Sequence, residues 1–437
     1  MLVAAAALAV FAGTALAEDA ALRGRADAYL TALRAAHIPG DGGIVQVVYE
    51  TPALENVLFY KGQGDSTMWT STYLAAECFR YAVTGDPDAK ANAIEAVHVL
   101  ENHLRVTQTT GYIGRYVGPI DTPFILDYLT SDELRWGEGE YLGKFWLSNG
   151  SSDQYIGWFF GLGVAYDLID DGPTRDLIRS MVREVIDELR DNFWLIITDT
   201  GWPSTAAPNI GGGERMAFLL TAAHVIDEPE YWTLYEQEFE AGKDLFPFQS
   251  IAFFNKYTEY FAFNLRHLNY YAIFNYETDP ERRAFYLEIY DRMVRSLVRG
   301  THNAWFDFIY LTMTDGAPAD DDPQQMIDDA LHALSVFPDP PNTDTHRDIP
   351  PAADRPVVAD LCGHSGVDWD RPGLQAHHEG TARCREPMPR RIPLAAVAEP
   401  HHLRRLFRPA RLSRTRLPRR VLVRPLPQLY RSRSARR

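Results

Sequence analysis

Cysteine is nearly missing from this chain of 437 residues, which carries only Cys78, Cys362 and Cys384. So few, at these spacings, exclude a disulfide scaffold, and Cys78, inside an apolar stretch, reads as a small buried residue. Past the first seventeen residues no window offers about 18 unbroken apolar positions, so no stable membrane insertion by a helix is expected. Phosphate-binding glycine loops are also missing. GGGER, residues 211–215, has neither the Walker spacing nor its Lys, and no strand precedes it. There is no Gly-x-Ser-x-Gly elbow, and no His, Cys or carboxylate cluster has zinc spacing. No cofactor and no metal are implied.

Lysine is absent from residues 383–437, where 17 Arg stand against Glu386 and Glu399 alone, a net of +15. The −16 of the whole chain therefore leaves −31 on the rest, a balance that repels nucleic acid and anionic membrane. The basic end invites Arg–phosphate pairing, yet an acidic body makes nucleic acid a poor partner.

What is present begins with MLVAAAALAVFAGTALA before Glu18, a short apolar run ending in Ala-Leu-Ala. Residues 1–17 read as a signal peptide without a positive start, and the protein as secreted or periplasmic. Five later junctions share one design: TGDPDAK, DDGPTRD, DEPEYW, TDPERR and DDDPQQ. In each, proline follows an acid or glycine and opens a charged stretch, as a residue at the first helical position does behind a cap. Behind the prolines the pattern is amphipathic: Ile178, Met181, Val182, Val185 and Leu189 share a face, as do Ile289, Met293 and Leu297. Before them, YIGWFFGLGVAYDLI, RMAFLLTAAHVI and YTEYFAFNLRHLNYYAIFNY are apolar or aromatic nearly all round, which marks enclosed helices.

The spacing predicts half-exposed helices near 20–37, 87–104, 173–192, 229–242, 280–299 and 323–336. Enclosed ones are predicted near 66–83, 153–169, 213–226, 257–276 and 302–313. The expected fold is all-α, a toroid of helical hairpins over residues 18–337 that lacks its last inner helix. Where that helix is due, after Phe337, the chain turns Pro-, Arg- and His-rich, and residues 338–437 read as a disordered tail. Two origins compete for it: a natural basic appendage, or a gene read in the wrong frame after about residue 345. A β-hairpin is expected over residues 44–61, from IVQVVYE and NVLFYKG. Residues 105–150, with TGYIGRYVGP and LSNGSS, show little regular pattern and read as a long connection that shapes a cleft.

This layout, with GDSTMWTSTYLAAECFRY and SSDQYIGWFFGLGVAYDL, resembles the six-hairpin glycosidase-like superfamily, the (α/α)6 toroid of unsaturated glucuronyl hydrolases and other sugar-active enzymes. The resemblance implies a cleft at one mouth of the ring, lined by the starts of the inner helices. Carried to this chain, it picks out Asp65 with Trp69, Asp153 with Gln154, Asn209 through Arg215, and His302 with Trp305. It also implies Asp65 and Asp153 as a catalytic pair on a carbohydrate substrate. Sugar hydrolysis needs two carboxyls flanking a bond, one kept protonated by an apolar setting. Trp69, Tyr73, Tyr155, Trp158 and Trp305 can offer flat faces to sugar rings.

Plainer readings stand beside these. Asp65 in Gly-Asp-Ser-Thr is a good N-cap, and Ser151 with Gln154 has capping-box spacing that puts Asp153 in a first turn. The aromatics can be core. Glu77, Asp167, His224, Arg266, His267 and Asp307, inside apolar helices, need partners and serve as ties between helices or as cavity groups. Function thus reads as an exported, glycoside hydrolase-like enzyme, with lyase and epimerase chemistry left open. A non-catalytic toroid binding a glycan or a partner, and an inactive truncated product, are the alternatives.

Overall fold

The computed structural model describes residues 20–51, 53–122, 133–204, 213–249, 259–338 and 344–345. Contacts divide the chain into residues 1–388 and 389–437, and every described residue belongs to the first unit. The leader and nearly all of the tail lie outside the described residues, as does the position expected for a sixth inner helix.

The described part is mostly helical. Its half-exposed helices are α1 (Ala20–Ala36), α3 (Pro87–Arg105), α5 (Gly172–Asp191), α7 (Pro229–Gly242), α10 (Pro280–Tyr290) and α13 (Pro323–Ser335). Between them run α2 (Ser66–Thr84), α4 (Ser152–Leu168), α6 (Gly213–Ile226), α9 (Glu259–Tyr276) and α12 (Ala304–Met313). Two short pieces, α8 (Phe246–Gln249) and α11 (Ser296–Val298), complete the set. The prolines do what their position demands. Asp86, Asp171, Asp279 and Asp322 each accept a hydrogen bond from a first-turn amide, with Pro just inside the helix. Glu228 in the third junction makes no such bond, its carboxylate turning instead to Arg183.

Consecutive inner helices pack side by side: α2 on α4, α4 on α6, α6 on α9, α9 on α12. Their lack of a polar face is thereby explained, since residues 154–165 of α4 are buried without interruption. On α5 the expected inward set, Ile178 through Leu189, is buried in full. The α10 set is not. One π-helical turn, Asp291–Arg295, follows α10 and adds a residue to the phase, so Tyr290, Val294 and Val298 turn inward while Leu297 faces solvent. Between the first and the last described helices, Arg25 Nη1 donates to the Phe337 carbonyl at 2.5 Å, and the Tyr29 and Phe337 rings lie 5.8 Å apart. This arrangement is consistent with a helical toroid.

Two small sheets accompany the helices. β1 (Gln46–Tyr49) and β2 (Val57–Lys61) form the expected antiparallel hairpin, and β6 (Asp344–Thr345) joins β1 in parallel. The second sheet corrects the reading of residues 105–150 as irregular. β3 (Tyr116–Pro119), β5 (Lys144–Leu147) and β4 (Leu134–Trp136) pair antiparallel in the order β3-β5-β4. Strands of three or four residues, buried at consecutive positions, give no alternation to read. Among the described residues no helix is long and apolar enough to cross a membrane.

Candidate functional site

The helix starts of α2 and α4 are brought together by close backbone packing below them. A methyl group on Gly157 would lie 2.7 Å from Met68 Cα, and one on Gly161 would lie 2.6 Å from the Ser71 carbonyl oxygen. Gly157 and Gly161 are one turn apart on α4, so α2 crosses that helix at glycine contact distance. Above the crossing, Gln154 Nε2 donates to the Gly64 carbonyl at 3.0 Å. Asp65 follows Gly64 and Asp153 precedes Gln154, which sets the two aspartates at one place.

Asp65 stands at the N-cap position of α2, yet its side chain caps nothing. The role passes to the loop before β3. The Thr67 amide donates to the Arg115 carbonyl at 3.0 Å, and Thr67 Oγ1 donates to the Gly114 carbonyl at 2.7 Å. The Asp65 carboxylate is therefore free of helix duty. On α4 the capping-box spacing is used: the Ser151 amide donates to Gln154 Oε1 at 2.7 Å. Asp153 stands half-buried in the first turn that follows.

Burial raises the Asp65 carboxyl above its ordinary value, against the opposing charge of Arg115. Asp153 is raised first by burial and then by the charge of Asp65, again against Arg115. Asp153 thus senses the charge of Asp65. Arg115 is the residue that sequence reasoning missed. Its Nη1 donates to the Gly64 carbonyl at 2.9 Å and its Nε to the Asn149 carbonyl at 2.7 Å. Its one signal was a lone cation in TGYIGRYVGP, a segment read as a connection.

The remaining candidates divide. Trp69 is half-buried one turn beyond Asp65, its ring lying against Gly62, which has φ +76°. Trp305 is half-buried between Phe160 and Tyr271, with centroids 5.9 and 6.2 Å away. Tyr73, Tyr155 and Trp158 are interior. The Tyr73 hydroxyl accepts from Arg34 at 2.7 Å, and burial pushes its pKa up to about 12. The Tyr155 hydroxyl donates to the Gly111 carbonyl at 3.1 Å. Arg215 is buried and holds Glu238 of α7 at 2.7 Å, with its guanidinium 4.5 Å from the Trp194 ring centre. His302 is exposed, in the left-handed region at φ +56°, and pairs with Asp329 at 2.7 Å. Neither Arg215 nor His302 is brought to the aspartates by these contacts. Asn209 lies outside the described residues.

The ionisable groups inside inner helices are mostly ties. Arg80 and Asn92 hold Glu77 at 2.8 and 3.1 Å. Asp167 joins three helices, accepting from Tyr276 at 3.1 Å and meeting His224 at 2.6 Å. His267 lies between the Phe263 carbonyl and the Tyr290 hydroxyl, and burial lowers its pKa to about 4. Arg295 holds Asp307 at 3.0 Å. Among the described residues no three His, Cys, Asp or Glu side chains form a group that would hold a metal ion.

No protein-family profile matches the chain, and no curated protein matches it. A solved structure, described as a metagenome-derived glycoside hydrolase family 9 endoglucanase, is similar at a TM-score of 0.39 and 12% identity. The likeness covers 72% of this chain and 64% of that one, so the chain spans less than two thirds of that protein. A likeness of this size carries no weight for activity.

Proposed function

We propose that this chain is an exported, glycoside hydrolase-like enzyme built as a toroid of helical hairpins, with Asp65 and Asp153 as its working pair at one mouth. What supports the reading is a single relation: two half-buried carboxyls at adjoining helix starts, both raised by burial, with the charge of Asp65 acting on Asp153. Repulsion between two neighbouring carboxyls is mutual and keeps one proton on the pair, as an acid and a base sharing one bond require; this reading gives the acid role to Asp153 and the base role to Asp65. Asp153 delivers its proton to the glycosidic oxygen as the bond to the anomeric carbon breaks. Asp65 takes a proton from the water whose oxygen bonds to that carbon. Trp69 and Trp305 supply flat faces for the sugar, and Gln154 holds the helix starts in register. Residues 1–17 serve as the export signal in this reading, and resequencing the gene at codon 345 decides whether the run beyond it is a natural basic appendage or a frame misread.

The test separates catalysis from binding. Release of reducing ends from a panel of polysaccharides is measured for the wild type, Asp65→Asn and Asp153→Asn, beside glycan affinity. Loss of turnover with affinity kept supports the enzyme. Unchanged turnover in both variants overturns it, and glycan binding without turnover in the wild type favours a binding toroid, where Trp69→Ala should cost more affinity than either Asn variant.

A further inference from the structure

We propose that Arg115 is the positioning residue of this site: its guanidinium bridges the turn before α2 and the loop entering α4, and so sets the Asp65 and Asp153 carboxyls in the field of one shared cation. This rests on the reading of the two aspartates as the working pair. The geometry is that of a clamp. Nη1 holds the Gly64 carbonyl at 2.9 Å, one residue before Asp65, and Nε holds the Asn149 carbonyl at 2.7 Å, on the loop that enters α4. Arg115 is itself pinned by its backbone, its amide donating to the Leu147 carbonyl at 2.8 Å and its carbonyl accepting from the Thr67 amide at 3.0 Å. The residue thus touches β5, the β5–α4 loop, the turn before α2, and α2 itself.

Gly64 accepts from both Arg115 and Gln154, so one carbonyl oxygen joins the two helix starts. A planar guanidinium with donors in a fixed fork spans two carbonyls in a way that a point-charge ammonium does not. Asp199 and one oxygen of Glu133 are already engaged. Arg135 holds Asp199 at 2.6 Å, Asn149 Nδ2 donates to Glu133 at 2.9 Å, and Ser148 donates to Asp199. The charge of Arg115 acts on both Asp65 and Asp153, and on both it acts to lower the pKa.

The experiment pairs Arg115→Gln with Arg115→Lys and reads the Asp65 and Asp153 carboxyl carbons by 13C NMR against pH in the substrate-free protein. Gln should move both titrations to higher pH, and the acid limb of the pH–rate profile with them. Lys should restore both titrations toward wild type, while kcat stays at least tenfold down and KM changes less, because one ammonium cannot hold both carbonyls. Carboxyl titrations that do not move in the Gln variant would overturn the proposal, as would full recovery of kcat by Lys, which would leave charge alone as the role. A wild type with no turnover on any glycan sinks the functional reading, while the titrations still decide whether Arg115 governs the pair.

Discussion

Replacing Gly157 or Gly161 by Ala tests how the helix crossing positions the site. A methyl at Gly157 would meet Met68 Cα at 2.7 Å and Met68 Cγ at 3.0 Å, and one at Gly161 would meet the Ser71 oxygen at 2.6 Å and its Cα at 3.0 Å. Carbon contacts relax near 3.5–4.0 Å, so α2 and α4 must part by about 1 Å. Backbone atoms on the facing helix cannot rotate away as a flexible side-chain end can. Overpacking costs about 1–3 kcal/mol, and the gain in helix propensity returns about 1 kcal/mol. The net is a loss of about 0–2 kcal/mol, a fall in Tm of a few degrees at most. Activity should fall much further, by about 100-fold, because a 1 Å displacement at a reacting pair costs on that order. Thermal unfolding and turnover on the same samples make the comparison. A variant that keeps full turnover, or that loses activity only in proportion to its folded fraction, refutes the reasoning.

Asp65→Asn and Asp153→Asn should each stabilise the fold at neutral pH. Both carboxyls titrate above 3.8 when folded, so their charging costs stability as pH rises through the folded value, and below 3.8 both states are protonated and the gain vanishes; Tm measured at pH 3 and pH 7 checks the sign. Arg295→Leu takes away the guanidinium that holds Asp307 at 3.0 Å and leaves Asp321 only Arg299 at 2.6 Å, and should cost about 3 kcal/mol in urea unfolding at pH 7. Asp279→Ala removes an acceptor for the amides of Glu281 and Arg282 and should cost about 1 kcal/mol by the same method.

The helices were legible because their signals are local. Proline behind an acid or glycine fixes where α3, α5, α7, α10 and α13 begin, and unbroken apolar content marks α4 and α6 as enclosed. Leu297 was misplaced because a π turn shifts phase without leaving a mark in the residue types. The β3-β5-β4 sheet was illegible for a different reason, its strands being too short and too buried to alternate. At the site, Asp65 and Asp153 were expected at the starts of inner helices, and α2 and α4 do begin beside them. Which way a side chain leaves such a start was not legible, so Arg215 and His302 belong to outer-helix contacts instead. Arg115 acts across about fifty residues through backbone carbonyls, a relation that no spacing rule encodes.

The most direct measurement is the carboxyl titration of Asp153 by 13C NMR in the wild type and in Asp65→Asn. With the neighbouring charge gone, the Asp153 titration should move to lower pH, burial alone still holding it above 3.8. A curve that does not move would mean that the two carboxyls do not share a site.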